Sequence, residues 1–257
     1  MKKLIKIFVI FIFIIIGIIF WGYSQTKSLK VKEYNIVDKA IPDSFNGFKI
    51  IHFGDVLFGS SVDGKYLNKV VKEINNYKPD IVIFTGDLFS KESNLTKKNK
   101  EDIIKSLGNI KVSLAKYAIY GDNDQEEYED IMSKSGFIIL KDNYEEVYFN
   151  SVTPIIISNT DIETELFNIR LLHKPDDIDA INKDNINVIL AGHSLNGQIR
   201  LPFYGALMKK NGSKKYTDDY YSYDDYKVFI TSGLGTYSPN LRLLNPPSIN
   251  LYRLTNY

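Results

Sequence analysis

Residues 190–202 read Leu190-Ala191-Gly192-His193-Ser194-Leu195-Asn196-Gly197-Gln198-Ile199-Arg200-Leu201-Pro202. The apolar run from Asn187 to Ala191 stops at a glycine, and the glycine hands on a histidine. A short apolar run bounded by glycine is the pattern of a buried strand. Glycine lets the backbone turn sharply, so His193 is expected just past a strand's carboxyl end. Open α/β sheets bind their ligands at that edge.

The same arrangement recurs along the chain. Phe48 to Phe53 ends in Gly54-Asp55, and Asp80 to Phe84 ends in Thr85-Gly86-Asp87. Lys116 to Tyr120 ends in Gly121-Asp122-Asn123-Asp124, and the strand from Asn168 ends in His173. Loops that carry Asp and His to one edge can build a metal site of mixed oxygen and nitrogen ligands. A single Gly-Asp after a strand also serves as a turn or helix cap, so the recurrence carries the reading rather than any one position. The chain has no cysteine. Disulfides and thiolate ligands are therefore excluded, and a metal would rest on oxygen and imidazole. The third histidine, His52, lies inside its strand, three residues before Asp55, on the opposite face by alternation. A structural role is expected for it.

Helices are expected between these strands. Leu67, Val70, Val71, Ile74 and Tyr77 share one face over 66–77, and Pro79 stops that helix. A polar, Lys-rich loop over 90–101 leads into a helix near 101–107, and another is expected over 125–135 before Gly136. The second half is strand-rich, with runs at 145–149, 154–158, 168–173, 187–191, 226–232 and 249–254. Residues 209–227, dominated by Lys, Tyr and Asp, read as an exposed insertion. The pattern implies an α/β domain of two packed sheets with helices outside. With 44% hydrophobic and 25% charged residues the composition is globular. Thirty-two basic against 31 acidic residues leave a net charge of +1, so no global field favours nucleic acid.

At the N-terminus Lys2, Lys3 and Lys6 precede an apolar run from Ile7 to Tyr23. A bilayer core needs roughly 20 apolar residues in a helix. A cleaved signal is the alternative, but its apolar region is usually about 7 to 15 residues and ends in small residues. The exit here, Trp21-Gly22-Tyr23-Ser24-Gln25, lacks that site. The division expected is a membrane anchor over 1–25, a stalk and entering strand over 26–46, and a domain over 47–257. The flanking lysines place the N-terminus in the cytoplasm and the domain outside the cell membrane, on a single-pass protein.

The ordered blocks Gly54-Asp55, Phe84-Thr85-Gly86-Asp87, Tyr120-Gly121-Asp122-Asn123-Asp124, Leu171-Leu172-His173-Lys174-Pro175-Asp176 and 190–202 resemble those of the calcineurin-like metallophosphoesterases, nearest the membrane-linked bacterial branch. Thr231 to Gly235 and Arg242 to Pro247 resemble it too. The resemblance implies a four-layer α/β/β/α sandwich and a two-metal phosphoester hydrolase. It also exposes departures. The family's D-x-H reads Asp55-Val56-Leu57, its G-N-H-D reads Gly121-Asp122-Asn123-Asp124, and its G-H-T-H reads Gly192-His193-Ser194-Leu195. Carried over position by position, Asp87, Asp122, His173 and His193 hold one metal. The other retains Asp55 and the bridging Asp87 but meets Leu57 and Leu195. The expectation is one divalent ion (Mn, Fe or Zn) rather than two. Asn123 and Asp124 then stand at the catalytic block, Asp55 is a residual or water-positioning carboxylate, and Arg200 is a candidate for substrate phosphate. Arg242 is read equally as a phosphate ligand or an interface arginine. A phosphoester of lipid or envelope origin fits the anchor. The histidines absent at 57, 123 and 195 keep a second reading open, a catalytically dead binding or scaffold domain.

Overall fold

The computed structural model describes residues 2–91, 93, 95–124 and 126–257; the expected helix start at 125 and two positions of the 90–101 loop, 92 and 94, lie outside them, as does Met1. The chain opens with α1 (Lys2–Gln25), a helix of mean hydropathy 3.0 whose apolar window is unburied. At 1.5 Å per residue its 24 residues extend about 36 Å, long enough to cross a bilayer. Its last turn docks on the domain, where the Arg242 amide donates to the Gly22 carbonyl at 2.9 Å.

Then follow β1 (Lys30–Val37), β2 (Lys49–Phe53), α2 (Gly64–Tyr77), β3 (Ile81–Phe84), α3 (Lys97–Gly108), β4 (Ala115–Ala118), α4 (Glu127–Lys134) and β5 (Phe137–Ile139). The second half contributes β6 (Tyr144–Val147), β7 (Ile155–Ser158), β8 (Asn168–Leu172), β9 (Val188–Ala191), β10 (Arg200–Leu201), β11 (Gly205–Ala206), β12 (Tyr220–Ser222), β13 (Lys227–Ile230) and β14 (Ser248–Thr255). One six-stranded sheet runs β1-β14-β2-β3-β4-β5, and the other runs β12-β13-β9-β8-β7-β6. The neighbours from β2 to β5 are parallel, as are β7, β8, β9 and β13. Their carboxyl ends therefore point the same way within each sheet.

The sheets face each other across a core that takes Ile50, Ile83 and Tyr252 from the first and Ile157, Leu171, Leu190 and Phe229 from the second. On the first sheet's outer face, Leu67, Val70 and Ile74 of α2 pack with Ile103, Leu107 and Ile131 against Phe53 and Phe84. These are the apolar helix positions that the 3.6-residue period selects. Asp63 caps α2 by accepting from the Tyr66 amide at 2.7 Å. The second sheet's outer face carries a thinner layer, built on the 3₁₀ turn Pro175–Asp179 and Tyr216.

Two stretches add detail to the sequence expectation. Within 26–46, where a stalk and an entering strand were expected, the strand is β1, and it pairs along all eight residues with β14. Its polar lysines sit on an edge strand, which hid it from hydrophobic periodicity. Residues 209–227, expected as an exposed insertion, are mostly exposed or half-buried, and Ser213, Tyr216 and Thr217 are their buried anchors. The Asp176 carboxylate accepts from the amides of Lys214, Lys215 and Tyr216 at 2.7–3.2 Å. Tyr216 also packs edge-on against Tyr221 with centroids 5.1 Å apart. Paired backbone and aromatic packing anchor a segment that otherwise stays exposed.

Candidate metal centre

The carboxyl ends of both sheets converge on one cluster. The Asp55 amide donates to the Gly86 carbonyl at 2.9 Å, and the Gly192 amide to the His173 carbonyl at 3.1 Å. Between β3 and β4 the loops touch backbone to backbone. A Cβ on Gly86 would collide with the Gly121 amide, and one on Gly121 with Asp87. Only glycine allows that approach.

Asp55, Leu57, Asp87, His193, Leu195 and Asn196 all hold φ between 47° and 62°. Left-handed backbone is uncommon outside glycine, and its concentration in one place marks a site rather than ordinary loops.

Asp87, His173 and His193 each aim a ligand atom into a space where all three lie within 4.8 Å of one another. Second-layer carbonyls fix both rings. His173 Nδ1 faces the Thr85 carbonyl at 2.7 Å, and His193 Nε2 faces the Asn211 carbonyl at 2.7 Å. A carbonyl only accepts, so each facing nitrogen carries a proton. The opposite nitrogens, His173 Nε2 and His193 Nδ1, meet at 3.1 Å. Asp87 Oδ2 lies 3.5 Å from His173 Nε2. Two imidazole lone pairs and a carboxylate thus face one point, which demands a cation or a proton there. Backbone-oriented imidazoles beside a carboxylate are the donor set of a transition-metal site, and the residues fit a divalent ion.

Electrostatics agree with this geometry. Burial alone would lower the His173 pKa, but the Asp87 hydrogen bond and charge, with Asp55 behind them, raise it to about 9. His193 falls to about 4 through burial and the neighbouring His173 charge. Asp87 is held below the usual carboxylate range. Burial opposes that, and the His173 bond and charge and the Asn123 amide outweigh it. Burial pushes Asp55 up to about 7, with the His173 charge working against it and Asp87 adding to it.

In the metal-free protein the His173 proton must leave before an ion binds. Its folded pKa of about 9 lies above the unfolded value of 6.5. Its stabilising contribution is therefore full below pH 6.5 and lost as pH rises through 9. Metal binding at about pH 7.5 is expected to release about one proton, and affinity to climb about tenfold per pH unit toward about pH 9. Calorimetry in buffers of different ionisation enthalpy measures this; zero proton release contradicts the assignment.

The other expected site residues take distinct places. Asp55 is wholly buried, and both its oxygens accept from the His193 amide at 2.8–3.0 Å. It braces the loop that carries the histidine. Asn123 donates to Asp87 from its amide and its side chain, each at 2.8 Å. Asp124 accepts from the amides of Asp87, Leu88 and Gly121 at 2.7–2.9 Å, so it clamps the β3 and β4 loops together. Asp122 lies outside the converging trio and pairs with Lys174 at 2.6 Å. Arg200 turns to the Asp218 carboxylate and the carbonyls of Asn196 and Thr217. Arg242 is fully buried and donates to the carbonyls of Ser232, Gly233, Gly235 and Asn245, which makes it a clamp on the tail loop. His52 bridges Tyr252 and Thr85, both at 3.0 Å, the structural role expected.

Leu57 and Leu195 are both wholly buried. Leu195 fills the space above Gly233, next to the Asp55 side chain, and Leu57 lies against Gly235. Sequence reasoning missed two residues here. Tyr237 donates to Asp87 at 3.3 Å, and the Lys210 ammonium lies 3.2 Å from the Tyr237 ring centroid. Burial lowers the Lys210 pKa, while Asp87, Asp55 and Asp122 draw it back up. A large cleft of about 810 Å³ lies at the opposite edge around Asn75, Pro79 and Asn109, away from every residue of the trio. A smaller groove of about 210 Å³ runs past Ser60, Lys91 and Tyr237.

An Asp/His/His cluster where the parallel strands of two facing sheets end is an arrangement that suits the metallophosphoesterase class. Residues 48–226 match the model of the calcineurin-like phosphoesterases, and the chain belongs to that family. It is 29% identical to the "Uncharacterized metallophosphoesterase YkuE" of Bacillus subtilis (strain 168), across 90% of this chain and 87% of that one. The "Phosphodiesterase YaeI" of Escherichia coli (strain K12) is 21% identical over 82% of this chain and 84% of its own. A Danio rerio "Transmembrane protein with metallophosphoesterase domain" is 22% identical over 86% of this chain and 56% of its own length. Among solved structures, the Pseudomonas putida nuclease MPE aligns with a TM-score of 0.42 at 14% identity, over 76% of this chain and 78% of that one.

Proposed function

We propose that this protein is a membrane-anchored phosphoesterase that works with a single divalent ion held by Asp87, His173 and His193. The observation that carries the reading is the pair of ring nitrogens meeting at 3.1 Å beside Asp87; Leu57 and Leu195, wholly buried, stand at two positions where the resemblance would put ligands of a second ion. When bound, the ion supplies positive charge to a phosphoryl oxygen and acidity to a water. The chain supplies the rest. Asn123 presents an amide to the centre, and Asp55 and Asp124 hold its loops. Lys210 is a fixed ammonium that replaces part of the charge lost with a second cation, and the Ser60–Tyr237 groove takes the leaving group. Helix α1 anchors the domain on the outer face of the cell membrane, where lipid or envelope phosphoesters are at hand.

Full-length protein in detergent, loaded with Mn²⁺ and given an aryl phosphate, tests this. One ion per chain is expected, with hydrolysis that saturates as that ion does. Two tightly bound ions would contradict the single-ion reading. Turnover that ignores ion occupancy would favour the scaffold reading that the absent histidines suggest. Lys210→Met is expected to lower kcat/KM roughly 10- to 100-fold, the worth of a charged hydrogen bond, chiefly through KM; an unchanged KM removes Lys210 from the phosphate site.

A further inference from the structure

The β10–β11 hairpin is tipped by Pro202, Phe203 and Tyr204. The Phe203 side chain is completely exposed, at 110% relative accessibility, and Tyr204 is 73% exposed. Leu201 and Leu207 flank them in the chain, Leu244 follows the residue that bonds the hairpin base, and all three are exposed. Phe203 holds φ +64°, an unusual backbone for an aromatic residue, and it carries the ring outward. Soluble surfaces scatter large apolar side chains singly; a cluster such as this marks a contact surface.

The cluster is tied to the end of α1. The Arg242 amide bonds Gly22 at 2.9 Å, and the Leu241 side chain packs on the same glycine. The next carbonyl, Leu243, accepts from the Arg200 amide at 2.9 Å, and Leu243 bridges Ile199. The Leu207 amide closes the hairpin base by donating to Ile199 at 2.8 Å. Trp21 and Tyr23 are exposed in that same last turn of the helix, and such aromatics favour the membrane–water boundary. From Arg200 to Phe203 is three residues, a reach of at most about 10 Å. Amphipathic elements sink roughly 5–10 Å into the headgroup boundary, so the two lengths match.

We propose that Leu201, Phe203, Tyr204, Leu207 and Leu244 form an interfacial patch that seats in the same bilayer α1 enters. The proposal rests on reading α1 as a membrane anchor. Lipid is the occupant because backbone hydrogen bonds through the consecutive residues Arg242 and Leu243 tie the hairpin to the end of the helix. The domain then has two attachments and a fixed orientation. The segment leaving the patch continues through exposed Lys209 to Lys210 and Asn211 at the metal centre, which holds that edge of the site beside the headgroups.

Trp21 is the only tryptophan, which makes fluorescence decisive. Wild-type protein and the double variant Trp21→Phe, Phe203→Trp are reconstituted in nanodiscs of phosphatidylcholine and phosphatidylglycerol, with and without brominated acyl chains. In the double variant the single indole stands at position 203. Its emission is expected to be blue-shifted and quenched roughly twofold by bromolipid, as for an interfacial side chain. Emission typical of water, unquenched, overturns the proposal. So does blue-shifted emission that bromolipid leaves untouched, since a protein surface such as a second copy then covers the patch. Quenching of Trp21 in the wild type separates the two levels. If Trp21 is quenched and the indole introduced at the hairpin tip is not, the anchor stands and the patch falls.

Discussion

Replacing Asp87 with alanine is expected to remove ion binding and hydrolysis together. Asp87 is wholly buried, and its carboxylate gathers His173, Tyr237 and both donors of Asn123. Losing an outer-layer partner of a ligand costs about 10- to 100-fold in metal affinity. Losing the only carboxylate among the three converging groups therefore weakens binding by roughly 100-fold or more. A second readout is independent of turnover. Asp87 provides the hydrogen bond and charge that lift His173 to about 9, so the His173 pKa must fall in the variant. Metal titration and NMR of the three histidines check both effects. An Asp87→Ala protein that keeps its affinity within about tenfold and leaves His173 protonated near its present pKa of about 9 would place the centre elsewhere.

Much of this candidate centre was legible because its residues sit where a strand stops. Asp87, His173 and His193 each follow an apolar run, and position relative to a strand end is something a sequence displays. His52 was legible by alternation. Roles within a loop were not. Asp122 and Asp124 share a block, yet Asp122 turns to Lys174 while Asp124 ties down three amides; two residues of backbone curvature separate those fates. Lys210, Asn211 and Tyr237 reach the centre from segments with no hydrophobic period. Their positions follow from tertiary contacts such as the Asp176 turn that pins 214–216. Strand β5 has only three residues, too few for alternation to show, and β1 was half-hidden by its edge lysines. Arg200 and Arg242 carry the same charge in the sequence. Their partners, a loop carboxylate in one case and four buried carbonyls in the other, exist only after folding.

The largest gain of function is expected from building the proposed second half-site with Leu57→His and Leu195→His, combined with Asn123→His. Both leucines hold φ +47°, a backbone region several-fold richer in His, Asn and Asp than in aliphatic residues. Histidine therefore suits the local backbone better than the residue present. Leu195 lies next to the Asp55 side chain over Gly233, and Leu57 lies against Gly235. Without metal, two buried imidazoles lacking partners cost about 1–3 kcal/mol each, so the variant should melt below the parent. With Mn²⁺ in excess, Asp55, Asp87 and the two new imidazoles form a second donor set, and the melting point should recover. A titrating group at 123 restores general acid catalysis, worth about 10²–10⁴-fold, and the second ion adds a clamp on the phosphoryl oxygens. Metal analysis and aryl phosphate turnover on Leu57→His/Leu195→His, on Asn123→His and on the triple variant separate these contributions. If the double variant folds yet still binds a single ion, the leucines did not displace a ligand pair. Any gain in the triple variant then comes from position 123 alone.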